Sequence, residues 1–254
     1  MINMKIPHEL ELMRKAGRLT ALARKAAAEA VRPGVTTDDI DRVVRRTIEE
    51  AGAKPSFLGY GGFPASACVS INDEIIHGIP SKTRIIREGD IVKVDVGAYL
   101  NGFHGDCAAT VPCGQVSEEA QRLIEVTRQS FYEGIKFARE GCRLSDISHA
   151  IQTYVESHGF SVVRAYVGHG VGAQLHESPE VPNFGAPGHG VRLQRGMTLA
   201  IEPMVNAGVY DIKVLPDGWT VKTRDGRLSA HYENSIAITE GDPEILTSID
   251  GEVL

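Results

Sequence analysis

The 254-residue chain has little of what would place it outside the ordinary globular class. It has four cysteines, Cys68, Cys107, Cys113 and Cys142, with no Cys-x-x-Cys pair. That pattern argues against a structural zinc site and for free thiols in a reducing compartment. No stretch approaches the roughly 20 consecutive apolar residues of a membrane-spanning helix. The opening MINMKIPHELELMRKAG lacks the apolar run and small-residue cleavage site of a secretory signal, so a cytoplasmic location and no membrane partner are expected. Positive charge is in deficit: 27 Lys and Arg against 33 Asp and Glu leave a net charge of −6, which argues against a general nucleic-acid surface. No low-complexity segment or flexible linker divides the chain, and 42% hydrophobic residues suffice for a sizeable core. A single domain over 1–254 is expected.

What the chain does contain repeats. Residues 8–31 are rich in Ala, Leu, Arg and Lys and read as a helix stopped by Pro33-Gly34. Thr36 or Thr37 then caps a second helix bearing Ile40, Val43, Val44 and Ile48, which ends at Gly52. A similar pair follows: a helix over 117–140, a break at Gly141, and a helix capped by Ser145 that ends at Gly159. Gly34 and Gly141, Ile40 and Ile147, Gly52 and Gly159, and Gly89 and Gly196 are each 107 residues apart. The same offset relates Gly61 to Gly168, Gly78 to Gly185, Pro80 to Pro187, and Asp95 to Glu202. One offset across helices, turns and a carboxylate pair indicates an internal duplication, about 8–111 and 115–240.

Strands follow each helical pair. The runs 91–99 and 103–111 flank Asn101-Gly102, a strong hairpin signal. In the second half, 197–205 and 230–239 read as strands, with turns at Pro216-Asp217-Gly218 and Asp225-Gly226 between them. Carboxylates interrupt these runs: Asp95 in IVKVDVGAY, Glu202 in TLAIEPMV and Glu233 in HYENSIAI. A turn at Asn101-Gly102 sets Asp95 opposite Ala108, so Asp106 lies on the same face as a diagonal neighbour. A single such carboxylate is as well explained by a salt bridge or an edge position. Four on duplicated strands repel one another unless a cation neutralises them. His104 and His231 each precede a carboxylate by two residues and are candidates to support it from behind. His169 sits between Gly168 and Gly170, which allow close backbone approach; taken alone, a histidine there is better explained as solvent-exposed or as part of a turn.

Asp95, Asp106, His169, Glu202 and Glu233, in that order and spacing, resemble the five metal ligands of type I methionine aminopeptidases. The strings SINDEIIHGIP, DVGAYLNGFHGD, GHGVG, IEP and HYENSIAIT are similar to that family's signatures, over about residues 5–248. The resemblance implies an α/β (α+β) pita-bread fold, internally duplicated, with an antiparallel sheet core covered by helices. It implies two divalent ions drawn from Mn, Fe, Co and Zn, with Asp106 and Glu233 shared between them. Asp95 completes one ion's coordination, and His169 and Glu202 complete the other's. Glu202 also handles the proton, His77 contacts the substrate backbone or the leaving nitrogen, and His176 donates to the oxyanion. Phe57, Tyr60, Phe63, Cys68, Leu175 and Trp219 match substrate-pocket positions. Phe57, Phe63 and Leu175 depart from some members, which carry Cys, Tyr and Phe there. Asn72 and Ser229 match a site for a structural monovalent cation.

The activity so implied is removal of the initiator methionine from nascent chains with a small second residue. The enzyme is expected to be a monomer, short like the bacterial form, and to work near the ribosome. Two alternatives stand beside it. An Xaa-Pro aminopeptidase or prolidase usually carries an added N-terminal domain, for which the early start of the repeat leaves little room. A non-catalytic binding module of the same fold should lack ligands, and all five are present.

Overall fold

The structure is a computed structural model and describes residues 2–249. In chain order the elements are α1 (Pro7–Ala30), α2 (Thr37–Glu50), β1 (Lys54–Pro55), β2 (Ala67–Ile71), β3 (Glu74–Ile76), β4 (Ile91–Leu100), β5 (Phe103–Pro112), α3 (Glu118–Ile135) and α4 (Leu144–Ser157). The second half continues with β6 (Ser161–Val162), β7 (Gly168–Gly170), β8 (Glu177–Val181), β9 (Thr198–Ile201), β10 (Met204–Asn206), β11 (Ile212–Val214), β12 (Val221–Thr223), β13 (Ser229–His231), β14 (Glu233–Ala237) and β15 (Glu244–Ile245).

Local chemistry accounts for the helix ends. Pro7 opens α1, where its missing N–H costs nothing. Thr36, not Thr37, caps α2: its Oγ1 accepts from the Asp39 N–H at 3.1 Å, and Asp39 Oδ2 accepts the Thr36 N–H at 2.8 Å. α3 is shorter than expected, ending at Ile135, five residues before the Glu140-Gly141 turn. Arg143, not Ser145, holds the cap position of α4, because Asp146 Oδ2 accepts the Arg143 N–H at 2.8 Å. Ser145 Oγ instead accepts the His189 N–H at 2.7 Å and ties a following loop to the helix.

The main sheet runs β1-β4-β5-β14-β9-β7-β8, with β2 also on β4 and β15 on β14. Among the described residues its strands pair antiparallel. α1 lies on β4 and β5, and α2 packs beside it. Their interface buries Leu19, Ala23, Ala27, Ile40, Val44 and Ile48 against Val92, Val94 and Val96. α3 and α4 pack on each other and on the second half, burying Leu123, Phe131, Ile147 and Ile151.

Several positions 107 residues apart share a conformation. Gly34 and Gly141 have φ of 91° and 90°, and Gly89 and Gly196 both have 88°. The isolated bridge Thr36–Ile85 recurs as Arg143–Arg192 at the same offset. Gly61 and Gly168 differ: Gly61 lies in a left-handed turn at φ 55°, and Gly168 lies in β7.

The hairpin pairs as the turn requires, with Asp95 opposite Ala108 and Gly97 opposite Asp106. The later strands do not run through. The segment expected over 197–205 breaks at Glu202-Pro203, and the one expected over 230–239 breaks at Tyr232. β9 pairs with β14 in the main sheet, and β10 pairs with β13 in a three-stranded sheet. The two-strand ladder therefore passes from one sheet to the other at a shared corner. Pro203 cannot donate to a ladder, and the Tyr232 N–H bonds the Pro203 carbonyl across the corner at 3.2 Å. Glu202 and Glu233 sit at that corner, where the pleat no longer dictates where their side chains point.

Candidate metal centre and active site

Four elements deliver the charged groups. β4 brings Asp95, β5 brings Asp106, β7 brings His169, and the β9/β14 corner brings Glu202 and Glu233. β2 lies on the far side of β4 with Cys68 opposite Asp95. The thirteen residues that the resemblance assigns to the metal ligands, the accessory histidines and the substrate pocket line one cavity of about 180 Å³: the five ligand candidates, His77, His176, Phe57, Tyr60, Phe63, Cys68, Leu175 and Trp219.

The carboxylates are crowded and dry. Burial raises Asp95 to about 7. Burial and then the neighbouring carboxylates hold Asp106 and Glu233 well above the usual range. Glu202 is raised in the same way, by burial and by Asp95. His169 Nδ1 donates to the Gly170 carbonyl at 2.7 Å, which leaves the Nε2 lone pair facing Asp106 at 3.8 Å and Glu202 at 3.7 Å. Burial lowers the His169 pKa to about 4, so the ring is neutral near pH 7.

These residues fit divalent cations. Asp95 Oδ1, Asp106 Oδ1 and Glu233 Oε1 are buried with no hydrogen-bond partner among the described residues, although such groups are rarely left unpaired. Donor atoms of Asp95, His231 and Glu233 lie within 4.8 Å of one another, as do those of Asp106, His169 and Glu233. Glu233 belongs to both groups, as a side chain shared between two ions would.

The two histidines proposed as supports part company. His231 is fully buried with both ring nitrogens unpartnered, and its Nε2 lies 3.7 Å from Glu202 and 3.8 Å from Glu233. It stands closer to the centre than a role behind the ligands requires. His104 is drawn elsewhere: its Nδ1 bonds Ser56 Oγ at 2.8 Å and its ring packs against Tyr99 at 4.6 Å. Arg24 was not legible as a site residue. From α1 it donates to the Glu233 carbonyl at 3.1 Å and to Asn234 Oδ1 at 3.0 Å, holding the β14 backbone from behind. One of three arginines in an Ala-rich helix gives only a faint sign of this.

The rim carries the remaining polar groups. His77 has φ of 58°, a left-handed conformation that is uncommon without glycine and that aims its ring into the cavity. Its ring meets Tyr166 edge-on at 5.7 Å and Trp219 at 6.4 Å, and burial lowers its pKa to about 4. His176 lies 4.2 Å from His169, ring to ring, and its Nδ1 bonds the Tyr60 hydroxyl at 2.7 Å. Phe57, Phe63, Ala65, Cys68 and Leu175 form an apolar wall, with Trp219 set edge-on to Phe63 at 5.1 Å. Burial and nearby carboxylates push the Cys68 thiol well up, which removes it as a nucleophile.

The chain is similar to known proteins along nearly its whole length. The profile of metallopeptidase family M24 matches residues 11–240, and the chain belongs to that family. The methionine aminopeptidase of Clostridium acetobutylicum is 56% identical over 97% of this chain and 99% of its own. The crystal structure of methionine aminopeptidase from Thermotoga maritima superposes with a TM-score of 0.97 at 48% identity, covering 98% of this chain and 100% of that one. Prolidase from Pyrococcus furiosus is 22% identical with a TM-score of 0.79, and this chain covers 66% of it. That likeness shows the shared pita-bread fold and nothing more about function.

Proposed function

We propose that the cavity removes the N-terminal methionine from newly made proteins whose second residue is small. The chain acts as a methionine aminopeptidase, a metal-dependent hydrolase. The observation that carries this reading is the joining of a dry carboxylate–imidazole cluster to an apolar wall within one cavity. The relatives' activity supports it, and the prolidase alternative has only a distant likeness behind it.

Asp95, Asp106, His169, Glu202 and Glu233 would hold two divalent ions. When bound, such ions supply Lewis acidity to the scissile carbonyl and acidify a water. An oxygen-rich set with one imidazole suits Mn, Fe, Co or Zn. Glu202 takes a proton from the attacking water and passes it to the leaving amine. His176 donates from Nε2 to the developing oxyanion, with Tyr60 fixing its tautomer through Nδ1. His77 contacts the substrate backbone. Phe57, Phe63, Cys68, Leu175 and Trp219 surround the methionine side chain with apolar atoms, and the swaps at Phe57, Phe63 and Leu175 keep that character.

On this reading residues 1–254 are one catalytic domain with an internal repeat, supported by the shared turn geometry at the 107-residue offset. No helix among the described residues is long and apolar enough to cross a membrane. The enzyme works as a cytoplasmic monomer on chains leaving the ribosome, where its substrate arises. The test is release of free methionine from Met-Gly-Met-Met, beside Xaa-Pro peptides, after chelation and re-addition of each metal. Metal-dependent methionine release is expected, with Glu202→Gln reduced by at least about 100-fold. Release only before proline would move the assignment to the Xaa-Pro enzymes.

A further inference from the structure

One of the largest fully buried side chains among the described residues is a lysine. Lys93 lies mid-strand in β4, two residues before Asp95, and is 1% exposed. Its Nζ donates to the Asn72 carbonyl at 2.7 Å and to the Ser229 carbonyl at 3.0 Å. Those carbonyls converge because both residues are tightly held. Asn72 is left-handed at φ 55°, and its side chain bonds Asp90 at 2.8 Å and the Ile91 N–H at 3.0 Å. The Ser229 N–H bonds the Asn72 carbonyl at 3.1 Å, and the Ser229 hydroxyl bonds Asn206 Oδ1 at 2.8 Å.

Asn72 and Ser229 are the two residues at which the family resemblance implies a structural monovalent cation. They do not fit a free ion here. Both carbonyls are already engaged by one compact amino group, and an added cation would have to share them with a positively charged neighbour. We propose that Lys93 is a tethered substitute for that ion: its nitrogen pins the Asn72 turn to the start of β13, and the site needs no sodium or potassium. One side chain then fixes three segments, those leading to His77, to Asp95 and to Glu233. Two carbonyl contacts need only two N–H bonds, which the group keeps in either charge state.

The experiment is thermal unfolding of the full chain in sodium, potassium or tetramethylammonium chloride at equal ionic strength, with divalent metal held constant. It reads no catalysis, so its outcome is separate from that of the peptidase assay. The wild type is expected to unfold at one temperature in all three salts. Lys93→Asn and Lys93→Ser open room for an ion. In tetramethylammonium they should lose about 3 °C or more, and sodium or potassium should restore at least half of that loss. Three results would overturn the proposal. One is a wild type stabilised by about 3 °C or more in sodium or potassium. Another is a pair of variants as stable as wild type in tetramethylammonium. The last is a loss, or a failure to fold, that neither ion restores.

Discussion

Asp95 and Glu233 share one register partner: Ala108 of β5 lies opposite Asp95 on β4 and opposite Glu233 on β14. The two carboxylates therefore flank a fully buried methyl group on one face of the sheet, with Asp106 two residues away on the same face. A small residue is needed between them. Ala108→Leu should overfill that space, costing about 1–3 kcal/mol of stability, and should part the carboxylates. Calorimetric titration with a divalent ion is expected to show affinity reduced at least tenfold in a variant that still unfolds cooperatively.

The Tyr60 hydroxyl and His176 Nδ1 lie 2.7 Å apart at the cavity mouth. If His176 donates from Nε2, Nδ1 must accept from Tyr60, and losing that bond frees the ring to take the wrong tautomer. Tyr60→Phe removes one hydrogen bond, worth about 0.5–1.5 kcal/mol. The expected result is a fall in kcat of about three- to tenfold with KM little changed. A change in KM alone would place Tyr60 in the pocket wall rather than behind His176.

Much of this was legible in the sequence for reasons that are local. The α1–α2 pair follows from periodicity and the Thr36 cap, and the hairpin register from Asn101-Gly102. The carboxylates of the cavity stand out where a strand should be apolar, whereas His77, His176 and the apolar wall were legible only through the family resemblance. What escaped is non-local. Alternation along 197–205 and 230–239 cannot reveal that both strands change sheets at Pro203 and Tyr232, because each half keeps its own period. Lys93 broke the same apolar run as Asp95, but a lysine on a strand is ordinarily solvated. Only the fold shows two carbonyls waiting for it. Arg24 likewise reaches Glu233 across 209 residues of sequence.

Helix α1 sits on the hairpin through two glycines. A Cβ on Gly17 would collide with the Leu246 carbonyl oxygen, and one on Gly105 would lie 2.8 Å from the Gly17 Cα. Gly17→Ala should therefore lift α1 despite alanine's better helix propensity, with a net cost of about 1–3 kcal/mol. Arg24 rides on the same helix, so the Glu233 backbone loses part of its support. Denaturant titration should show the lost stability, and metal affinity should fall with it. A stabilised Gly17→Ala would mean that the C-terminal segment yields instead of the helix.

The buried carboxylates tie stability to pH through the metal. Asp95 is raised to about 7, and Asp106, Glu202 and Glu233 are raised as well. The metal-free fold thus holds more protons on these groups than the unfolded chain does, and it loses stability as pH rises through their range. His77 and His169, lowered to about 4, and His231, lowered to about 3, act in the opposite direction. Their effect is complete by about pH 7.5, where unfolded imidazoles are also largely neutral. Lys93, lowered to about 7, adds stability above that point. The difference between metal-loaded and metal-free unfolding temperatures removes most of the contributions outside the site. Binding requires ionised carboxylates and so releases protons. The gain on adding metal should accordingly be small near pH 5.5 and largest near pH 8, with proton release seen in buffers of different ionisation enthalpy. A gain that stays constant over that span, without proton release, would mean that the four carboxylates are already charged before the metal arrives.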